Sequence, residues 1–282
     1  MQAFLAQFFE EEQITAYAAL ALTDTTLTRP YLVERLDFAP QTAILFLAPY
    51  YAGETENLSR YAAPRDYHLY MKGLFSRFAA ALSQYDPTVH AAGFADHSPI
   101  DERMAAAHAG LGILGDNGLV IHPAYGSFVF IGEILTDAPP AACSAIPPMP
   151  PRHCEGCGAC RAACPTGILC GEGDKCLSAI TQQKAPLSDD EMLLLKRYNT
   201  AWGCDLCQTA CPHNKRALRE GTATSPIPFF REARIPYITP AVLAEMTDAE
   251  FASRAFSFRG RAVLERNLKV LFPEDNTKQI DK

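Results

Sequence analysis

Apolar positions in the first half of the chain follow two kinds of pattern, one typical of strands and the other typical of helices. Residues 42–51 (TAILFLAPYY) form a short apolar run with aromatic side chains, which predicts a buried strand. Residues 66–85 repeat apolar side chains at helical spacing and predict a long helix. Residues 90–96 and 127–137 predict further strands, and residues 101–115 predict a helix closed by glycines. The N-terminal part therefore mixes helices and strands.

A proline-rich segment separates this part from the rest of the chain. Residues 137–153 contain six prolines, and clusters of proline mark linkers because proline interrupts regular structure. After residue 211 the pattern is helical and irregular. We expect an α+β protein with three parts: a domain at 1–140, a cysteine-rich domain at 141–225, and a helical extension at 226–282.

Composition and charge limit the partners and the location that we expect for this protein. The 282 residues are 48% hydrophobic and 20% charged, with a formal net charge of −7. The net negative charge gives no overall attraction to nucleic acid, so binding of nucleic acid would depend on a local basic patch. The N-terminus is amphipathic but acidic, unlike a signal peptide, and no apolar run reaches the roughly eighteen residues of a membrane span. We expect a cytoplasmic protein without membrane contact.

The ten cysteines are concentrated in one region. Nine of them lie between residues 154 and 211. Disulfides of a secreted protein would be more evenly spread, and a chain of this length has little need of them. The clustering instead predicts bound metal in a reducing compartment.

Two cysteine runs have the spacing of iron–sulfur proteins. Residues 154–165 read C-x2-C-x2-C-x3-C-P, the run of bacterial ferredoxins. Residues 204–212 repeat C-x2-C-x3-C-P and lack a first cysteine, which Cys176 can supply from a distance. A zinc knuckle is the alternative, although zinc sites usually present two C-x2-C pairs that are further apart.

The ferredoxin pattern also predicts which cysteines act together. In two-cluster ferredoxins the fourth cysteine of a run ligates the other cluster. The prediction is two [4Fe–4S] clusters, with Cys154, Cys157, Cys160 and Cys211 on one, and Cys164, Cys176, Cys204 and Cys207 on the other. Cys143 and Cys170 remain as free or partly buried thiols. The long region before the runs indicates a domain that uses the electrons.

Five stretches occur in a fixed order along most of the chain. They are RYAAPRDYHLYMKGL, FADHSPIDERMAAAHAGLGILGDNGLVIHPAYGSFVFIGEILTD, CEGCGACRAACPTGIL with DKCLSAITQ, GCDLCQTACPHNK, and FSFRGRAVLERNLKVL. Together they resemble the epoxyqueuosine reductases, cobalamin- and iron–sulfur-dependent enzymes of queuosine biosynthesis in tRNA. The cysteine runs are shared by many iron–sulfur proteins, whereas the order of the other stretches is far more specific.

The resemblance implies an architecture and an activity. The fold would be an α/β cobalamin-binding domain, related to that of reductive dehalogenases, followed by a two-[4Fe–4S] ferredoxin-like domain. The substrate would be epoxyqueuosine in the anticodon stem-loop of tRNA, reduced with cobalamin and with electrons from a donor such as flavodoxin or ferredoxin. Two alternatives stay open: a corrinoid-dependent reductase of a small molecule, and a plain iron–sulfur electron carrier.

Asp96, in the stretch ADHSPIDER, is the candidate catalytic residue. The resemblance implies that it donates a proton. An opening epoxide develops alkoxide charge, which a nearby acid stabilises. The structural alternative is a helix-capping aspartate, and Asp101 and Glu102 fit the first turn of a helix better than they fit catalysis.

Candidate cofactor contacts lie in three other stretches. Tyr67 and His68 belong to RDYH, which the resemblance places near corrinoid and substrate, although His68 also fits an ordinary structural histidine. DYHLYMKG lacks the D-x-H-x-x-G spacing, so we expect cobalamin without a protein histidine on cobalt. The remaining candidates also fit simple turns: Gly112, Gly115, Tyr125 and Ser127.

The chain departs from the family pattern in two respects. It carries Asp116 where the family usually has lysine, which removes a positive charge. It also ends at Lys282, without the helical HEAT-like repeats with which many members grip tRNA. Basic side chains that could contact phosphates instead, or simply face solvent, are Lys215, Arg216, Arg219, Arg259, Arg261, Arg266 and Lys269.

Overall fold

A four-stranded antiparallel sheet organises the first half of the molecule. The computed structural model describes residues 1–273. The strands are β1 (Tyr17–Ala21), β2 (Thr42–Pro49), β3 (Ala91–Phe94), β4 (Ile113–Leu114), β5 (Val120–Ile121) and β6 (Val129–Thr136). The main sheet has the order β1-β2-β6-β3, and β4 and β5 form a separate small hairpin.

Helices cover both faces of the sheet and are the regular elements of the second half as far as residue 273. They are α1 (Gln2–Glu11), α2 (Pro30–Val33), α3 (Tyr67–Tyr85), α4 (Glu102–His108), α5 (Ala159–Ala162), α6 (Leu177–Gln182), α7 (Asp189–Arg197), α8 (Leu206–Ala210), α9 (Pro212–Arg219), α10 (Pro228–Arg231), α11 (Pro240–Glu245), α12 (Asp248–Ala252) and α13 (Arg261–Leu271).

Strand β2 is apolar without interruption because both of its faces are covered. Ile44 and Phe46 point into the core that contains α1 and α3. Leu45 and Leu47 point into the core on the opposite face, which contains α4. Side chains alternate between the faces of a strand, so a strand covered on both sides needs apolar residues throughout. The predicted buried strand at 42–51 is confirmed, with its last two residues outside the strand.

Helix α3 closely follows its predicted range, whereas α4 is shorter than predicted. Asp66 caps α3 by accepting a hydrogen bond from the backbone N–H of His68 at 3.0 Å. Asp101 caps α4 in the same way through Met104. Helix α4 ends at His108, and Gly110 follows at a φ of +72°, a left-handed conformation that turns the chain away toward β4.

The second half packs against the first through shared cores. The segment 137–153 is free of helix and strand and leads to α5, which packs against α8. Ala217, Ile227 and Phe230 belong to the same core as α1 and α3. Trp202 is fully buried in a second core with residues of α11 and α13. Ala223 and Ile227, on either side of the predicted boundary at 225/226, share this core. The division into three parts stays a prediction, and residues 274–282 of the predicted extension lie outside the described residues.

Candidate functional site

A solvent-open cavity of about 650 Å³ lies where the sheet domain meets the cysteine-rich segment. This volume is within the usual range of ligand pockets, about 300–1,000 Å³. Its walls are mainly aromatic, with a few polar groups. The lining residues are Tyr50, Tyr61, Asp66, Tyr67, His68, Asp96, Leu119, Ser127, Val129, Phe130, Gln182, Gln208, Ala255 and Phe258. Four of the predicted catalytic and cofactor residues therefore meet in one cavity: Tyr67, His68, Asp96 and Ser127.

Asp96 enters the cavity from the loop after β3. Its φ is +60°, a left-handed conformation that a non-glycine residue adopts only when the surroundings hold it. The Tyr67 hydroxyl donates a hydrogen bond to Asp96 Oδ2, and His68 Nε2 lies 3.4 Å from the same oxygen. The side chain is 59% exposed, because it faces an open cavity.

His68 is fixed between two carboxylates. Its Nδ1 lies 2.8 Å from Asp66 Oδ1, and its Nε2 faces Asp96. The ring of Tyr67 stacks on Phe130, with centroids 4.0 Å apart and planes within 12°. Asp66 is also the N-cap of α3, so the start of this helix positions the whole group.

A second carboxyl group lies behind Asp96. Glu102 Oε1, in the first turn of α4, accepts a hydrogen bond from the backbone N–H of Asp96 at 3.0 Å. Burial, followed by the charge of Asp66, raises the pKa of Asp96. Burial, followed by the charge of Asp96, raises the pKa of Glu102 to about 7. Ionisation of Asp96 is therefore less favourable than that of an ordinary aspartate.

A third carboxyl group is fully buried in the sheet. Glu133, in β6, accepts a hydrogen bond from Ser98 at 2.6 Å, and burial raises its pKa to about 8. Its Oε1 has no partner within residues 1–273. Sequence analysis missed Glu133, although a lone acid inside an otherwise apolar strand was a signal. Ser98 links this carboxyl group to the loop that carries Asp96.

Helix α8 of the cysteine-rich segment also contributes to the lining of the cavity. Gln208 lies between Cys207 and Cys211 in sequence, and its Oε1 accepts hydrogen bonds from Tyr50 and from Ser127, both at 3.2 Å. The candidate acid and the cysteine-bearing helix therefore border the same cavity.

Three other predicted contacts lie outside the cavity lining. Gly112 is buried in the small hairpin, where an added Cβ would meet the backbone oxygen of Ile121 at 2.7 Å. Gly115 borders a group of cysteines. The Tyr125 ring stacks on His122, and its hydroxyl lies 2.9 Å from Thr15 Oγ1. A cofactor role for these three residues stays a prediction.

The first predicted ligand set surrounds one small cavity: Cys154, Cys157, Cys160 and Cys211. In the second set, Cys176 and Cys207 lie close enough to Cys204 for their charges to affect its titration. Cys164 has a lowered pKa because hydrogen bonds, led by the backbone of Leu169, outweigh its burial. Cys143 is buried and Cys170 is exposed.

The thiols of the second set are suited to bound metal. Burial raises the pKa of Cys204 to about 12 and that of Cys207 to about 11, and the Asn117 side chain opposes the latter as a hydrogen-bond partner. Buried thiolates at close range repel one another unless a metal ion takes up their charge. Within residues 1–273, no three His, Cys, Asp or Glu side chains converge on a single ion.

Among the described helices, none combines the length and apolarity needed to cross a membrane.

The fold and the cysteines define an iron–sulfur protein in which a two-cluster domain packs on an α+β domain with an antiparallel sheet. Residues 153–214 match the family model of a 4Fe-4S double cluster binding domain. Beyond this domain, the chain is related to the epoxyqueuosine reductases. It is 36% identical to the epoxyqueuosine reductase of Gloeobacter violaceus over 198 residues, which are 69% of this chain and 61% of that protein. It is 32% identical to that of Bacillus cereus over 212 residues, 72% of this chain and 53% of that protein.

Solved structures of the same enzymes share the fold over nearly the whole chain. The epoxyqueuosine reductase of Streptococcus thermophilus matches with a TM-score of 0.76 and 22% identity, over 96% of this chain and 80% of that one. An epoxyqueuosine reductase solved with an epoxyqueuosine-modified tRNA-Tyr stem loop matches with a TM-score of 0.74 and 22% identity, over 95% and 80%. In sequence, the chain spans about half to three fifths of the two relatives' length.

Proposed function

We propose that this protein reduces epoxyqueuosine in tRNA to queuosine, using cobalamin and electrons relayed through two [4Fe–4S] clusters. The carrying observation is the cavity, which Asp96 and Gln208 of the cysteine-bearing helix both line. A reductase of this kind needs a proton donor and an electron source on two sides of one substrate. The names of the relatives in sequence and in fold support the substrate.

The proposed cluster ligands are those predicted from the ferredoxin pattern. Cys154, Cys157, Cys160 and Cys211 would hold one cluster, which their common cavity supports. Cys164, Cys176, Cys204 and Cys207 would hold the other, which the proximity of Cys176, Cys204 and Cys207 supports. The second cluster would be the one nearer the large cavity, because Gln208 follows Cys207 directly and lines that cavity.

The large cavity suits a corrinoid in shape and chemistry. Its aromatic walls, which include Tyr67, Phe130 and Phe258, offer flat apolar surface, and its open side leaves room for a ligand larger than the cavity itself. His68 is the histidine in its lining, and both ring nitrogens face aspartates, which supports cobalamin without a histidine on cobalt. When bound, cobalamin would supply the low-valent cobalt that delivers electrons to the epoxide carbon.

Asp96 would supply a proton to the opening epoxide. The reaction breaks both carbon–oxygen bonds of the epoxide and consumes two electrons and two protons, with the oxygen leaving as water. A neutral carboxyl group donates a proton where a carboxylate does not, and the raised pKa of Asp96 is a shift in the direction that this role requires. Tyr67 and His68 would hold the carboxyl group in place, and Asp66 would orient His68.

The proposed partners are the tRNA anticodon stem-loop and an electron donor such as flavodoxin or ferredoxin, in the cytoplasm. Two of the candidate phosphate-binding arginines are already engaged within the protein. Arg261 donates to the backbone oxygens of Leu243 and Met246, and Arg266 donates to the backbone oxygens of Gln183 and Ala185. Exposed side chains at Lys215 and Arg219 on α9 are better candidates for phosphate contact.

The test is turnover of an epoxyqueuosine-containing anticodon stem-loop by the anaerobically reconstituted full chain. Asp96→Asn should keep the iron content and the cobalamin spectrum of the parent. It should slow turnover by roughly 10²–10⁴-fold, the usual contribution of a general acid. Asp24→Asn, at an exposed aspartate outside the cavity lining, is the control and should leave turnover unchanged.

Three outcomes would contradict parts of the proposal. Loss of cobalamin from Asp96→Asn would make Asp96 structural. Absence of stem-loop reduction while both clusters cycle would favour the small-molecule reductase. Absence of cobalamin binding by the parent protein would leave the electron carrier as the better function.

A further inference from the structure

The loop that carries Asp96 makes a tight turn at this residue. The backbone N–H of His97 donates to the backbone oxygen of Ala95 at 2.7 Å, which closes a three-residue turn centred on Asp96. The φ of Asp96 is +60°, and turns of this kind with a positive φ at their centre are rare and strained. A non-glycine residue keeps such a conformation only where its surroundings enforce it. Contacts from outside the turn must therefore supply the restraint.

The later part of the loop is anchored on the sheet. Ser98 is fully buried, and its hydroxyl donates to Glu133 Oε2 at 2.6 Å. The same hydroxyl oxygen accepts the backbone N–H of Ile100 at 3.1 Å. The loop is thus fixed from residue 98 onward, whereas Asp96 and His97 are exposed.

A second set of contacts comes from the segment 26–31, which lies between β1 and β2 in sequence. The backbone N–H groups of Thr28 and Arg29 both donate to the backbone oxygen of Pro99, at 2.8 and 3.0 Å. The segment therefore runs along the loop and is joined to it through the backbone.

Two side chains of this segment also reach the loop. The guanidinium of Arg29, which is half-buried, donates to the backbone oxygen of Ser98 at 3.0 Å. The Tyr31 hydroxyl lies 3.1 Å from His97 Nε2. Ser98 is thus held through its hydroxyl by the sheet and through its carbonyl by Arg29.

Arg29 also acts on the carboxyl group that holds the backbone of Asp96. Glu102 Oε1 accepts the backbone N–H of Asp96 at 3.0 Å. Burial, followed by the charge of Asp96, raises the pKa of Glu102, and the charge of Arg29 opposes this rise. An ionised carboxylate accepts hydrogen bonds more strongly than a neutral carboxyl group. Arg29 therefore supports the turn at Asp96 in two ways, through Ser98 and through Glu102.

We propose that Arg29 is a positioning residue for Asp96, which keeps this acid turned into the cavity by holding the backbone carbonyl of Ser98. The inference rests on the role of Asp96 as proton donor in the proposed function. Arg29 lies outside the cavity lining, so it acts through the loop and not on the substrate. Its loss should therefore slow proton transfer without weakening the binding of RNA.

The test is a double-mutant cycle in the anaerobically reconstituted full chain, with turnover of the epoxyqueuosine-containing stem-loop as the readout. Arg29→Met keeps an apolar stem and removes the donors and the charge. It should lower kcat roughly ten- to hundredfold with KM unchanged, because a small displacement of a catalytic group costs this much. In the Asp96→Asn background the same change should alter kcat by less than about twofold, since both residues act through one group. Arg29→Lys, which keeps one charged donor, should recover part of the rate.

Hydrogen exchange gives a readout besides activity. In Arg29→Met, the backbone amides of residues 96–101 should exchange about tenfold faster, because the loop loses a hydrogen bond from a charged donor. Arg231→Met is the matched control, since the Arg231 guanidinium also donates to a backbone oxygen, that of Pro226, at 3.1 Å. This control should change neither turnover nor the exchange of residues 96–101.

The proposal is overturned by any of three results. An equal loss of kcat from Arg29→Met in the parent and in Asp96→Asn would show that Arg29 acts independently of Asp96. A rise in KM with kcat unchanged would make Arg29 an RNA contact. Unchanged exchange of residues 96–101 would show that Arg29 does not hold the loop. The proposed function fails separately, if the parent protein does not turn over the stem-loop, and the exchange measurement then still decides whether Arg29 holds the loop.

Discussion

At the scale of residues, three carboxyl groups lie one behind another from the cavity into the sheet. Asp96 faces the cavity, and its backbone N–H donates a hydrogen bond to Glu102. Glu133 is buried and accepts a hydrogen bond from Ser98. The charge of each disfavours ionisation of its neighbour, so the three titrate as a coupled group. Around them, Arg29 donates to the backbone oxygen of Ser98, and its charge lowers the pKa of Glu102. The arrangement raises the pKa of all three carboxyl groups.

The buried carboxyl group should make stability depend on pH. The pKa of Glu133 rises from an ordinary 4.5 to about 8, so between these values the folded protein holds a proton that the unfolded chain has lost. Its contribution to stability is therefore full below about 4.5, falls as pH rises, and is lost above about 8. The variant Glu133→Gln has no ionisable group at this position. Its free energy of unfolding minus that of the parent should therefore rise with pH, by up to about 1.4 kcal/mol per pH unit.

Denaturant unfolding at several pH values between about 5 and 8 measures this difference. Glu10→Gln, on the exposed side of α1, is the control and should show a constant difference from the parent. A pH-independent difference for Glu133→Gln as well would mean that Glu133 is ionised in the folded protein.

At the scale of elements, the turn before β6 is docked on α9 by Asn214. Asn214 Oδ1 accepts the backbone N–H of Ser127 at 2.7 Å, and its Nδ2 donates to Ser127 Oγ at 2.8 Å. Gly126 has a φ of +62°, and an added Cβ would lie 2.3 Å from Asn214 Oδ1. Because α9 starts directly after Cys211, this contact ties the sheet to the last cysteine of the first set.

Gly126→Ala should therefore disrupt the docking of the turn. The left-handed backbone alone costs a substituted residue about 1 kcal/mol, and displacement of Asn214 adds the loss of buried hydrogen bonds, about 1–3 kcal/mol. Gly221→Ala is the matched control, since its φ is +72° but an added Cβ meets nothing within 4 Å. Chemical unfolding of the two variants measures the difference, and equal destabilisation would show that the contact with Asn214 contributes nothing.

At the scale of the whole molecule, a buried ion pair joins the two halves beside the second cysteine set. Arg60 donates to Asp205 through its backbone N–H at 2.7 Å and its guanidinium at 3.3 Å, and both side chains are 9% exposed. Arg60 also donates to Glu54 at 2.5 Å and to Thr209 at 3.1 Å. Asp205 lies between Cys204 and Cys207, so the pair fixes the cysteine loop to the region after β2.

Arg60→Met should be strongly destabilising, because it leaves the Asp205 carboxylate buried without its charge partner. Breaking such a pair typically costs about 3–5 kcal/mol. Arg77→Met is the control, since Arg77 pairs with Glu12 but is 53% exposed, and surface pairs contribute about 0–1 kcal/mol. Anaerobic unfolding measures both variants. Similar losses would indicate that Asp205 remains solvated once Arg60 is gone.

The sequence by itself determined the features that depend on local spacing. The cysteine runs identified a two-cluster domain because ligand order along the chain is dictated by the cluster. The apolar run of β2 and the helical spacing of α3 located these elements because each pattern repeats with the geometry of its own backbone. Asp96 was identified through the ADHSPIDER stretch and the family resemblance that it carries, and it does face the cavity.

Only the tertiary structure decided what surrounds these residues. It brought Glu102 and Glu133 behind Asp96, placed Gln208 in the lining of the same cavity, and set the backbone N–H of Asp116 against Cys154. It also placed Gly112 and Tyr125 away from the cavity lining. These contacts join residues far apart in sequence, so no local pattern encodes them. They follow from which faces of the sheet, the hairpin and the helices pack together.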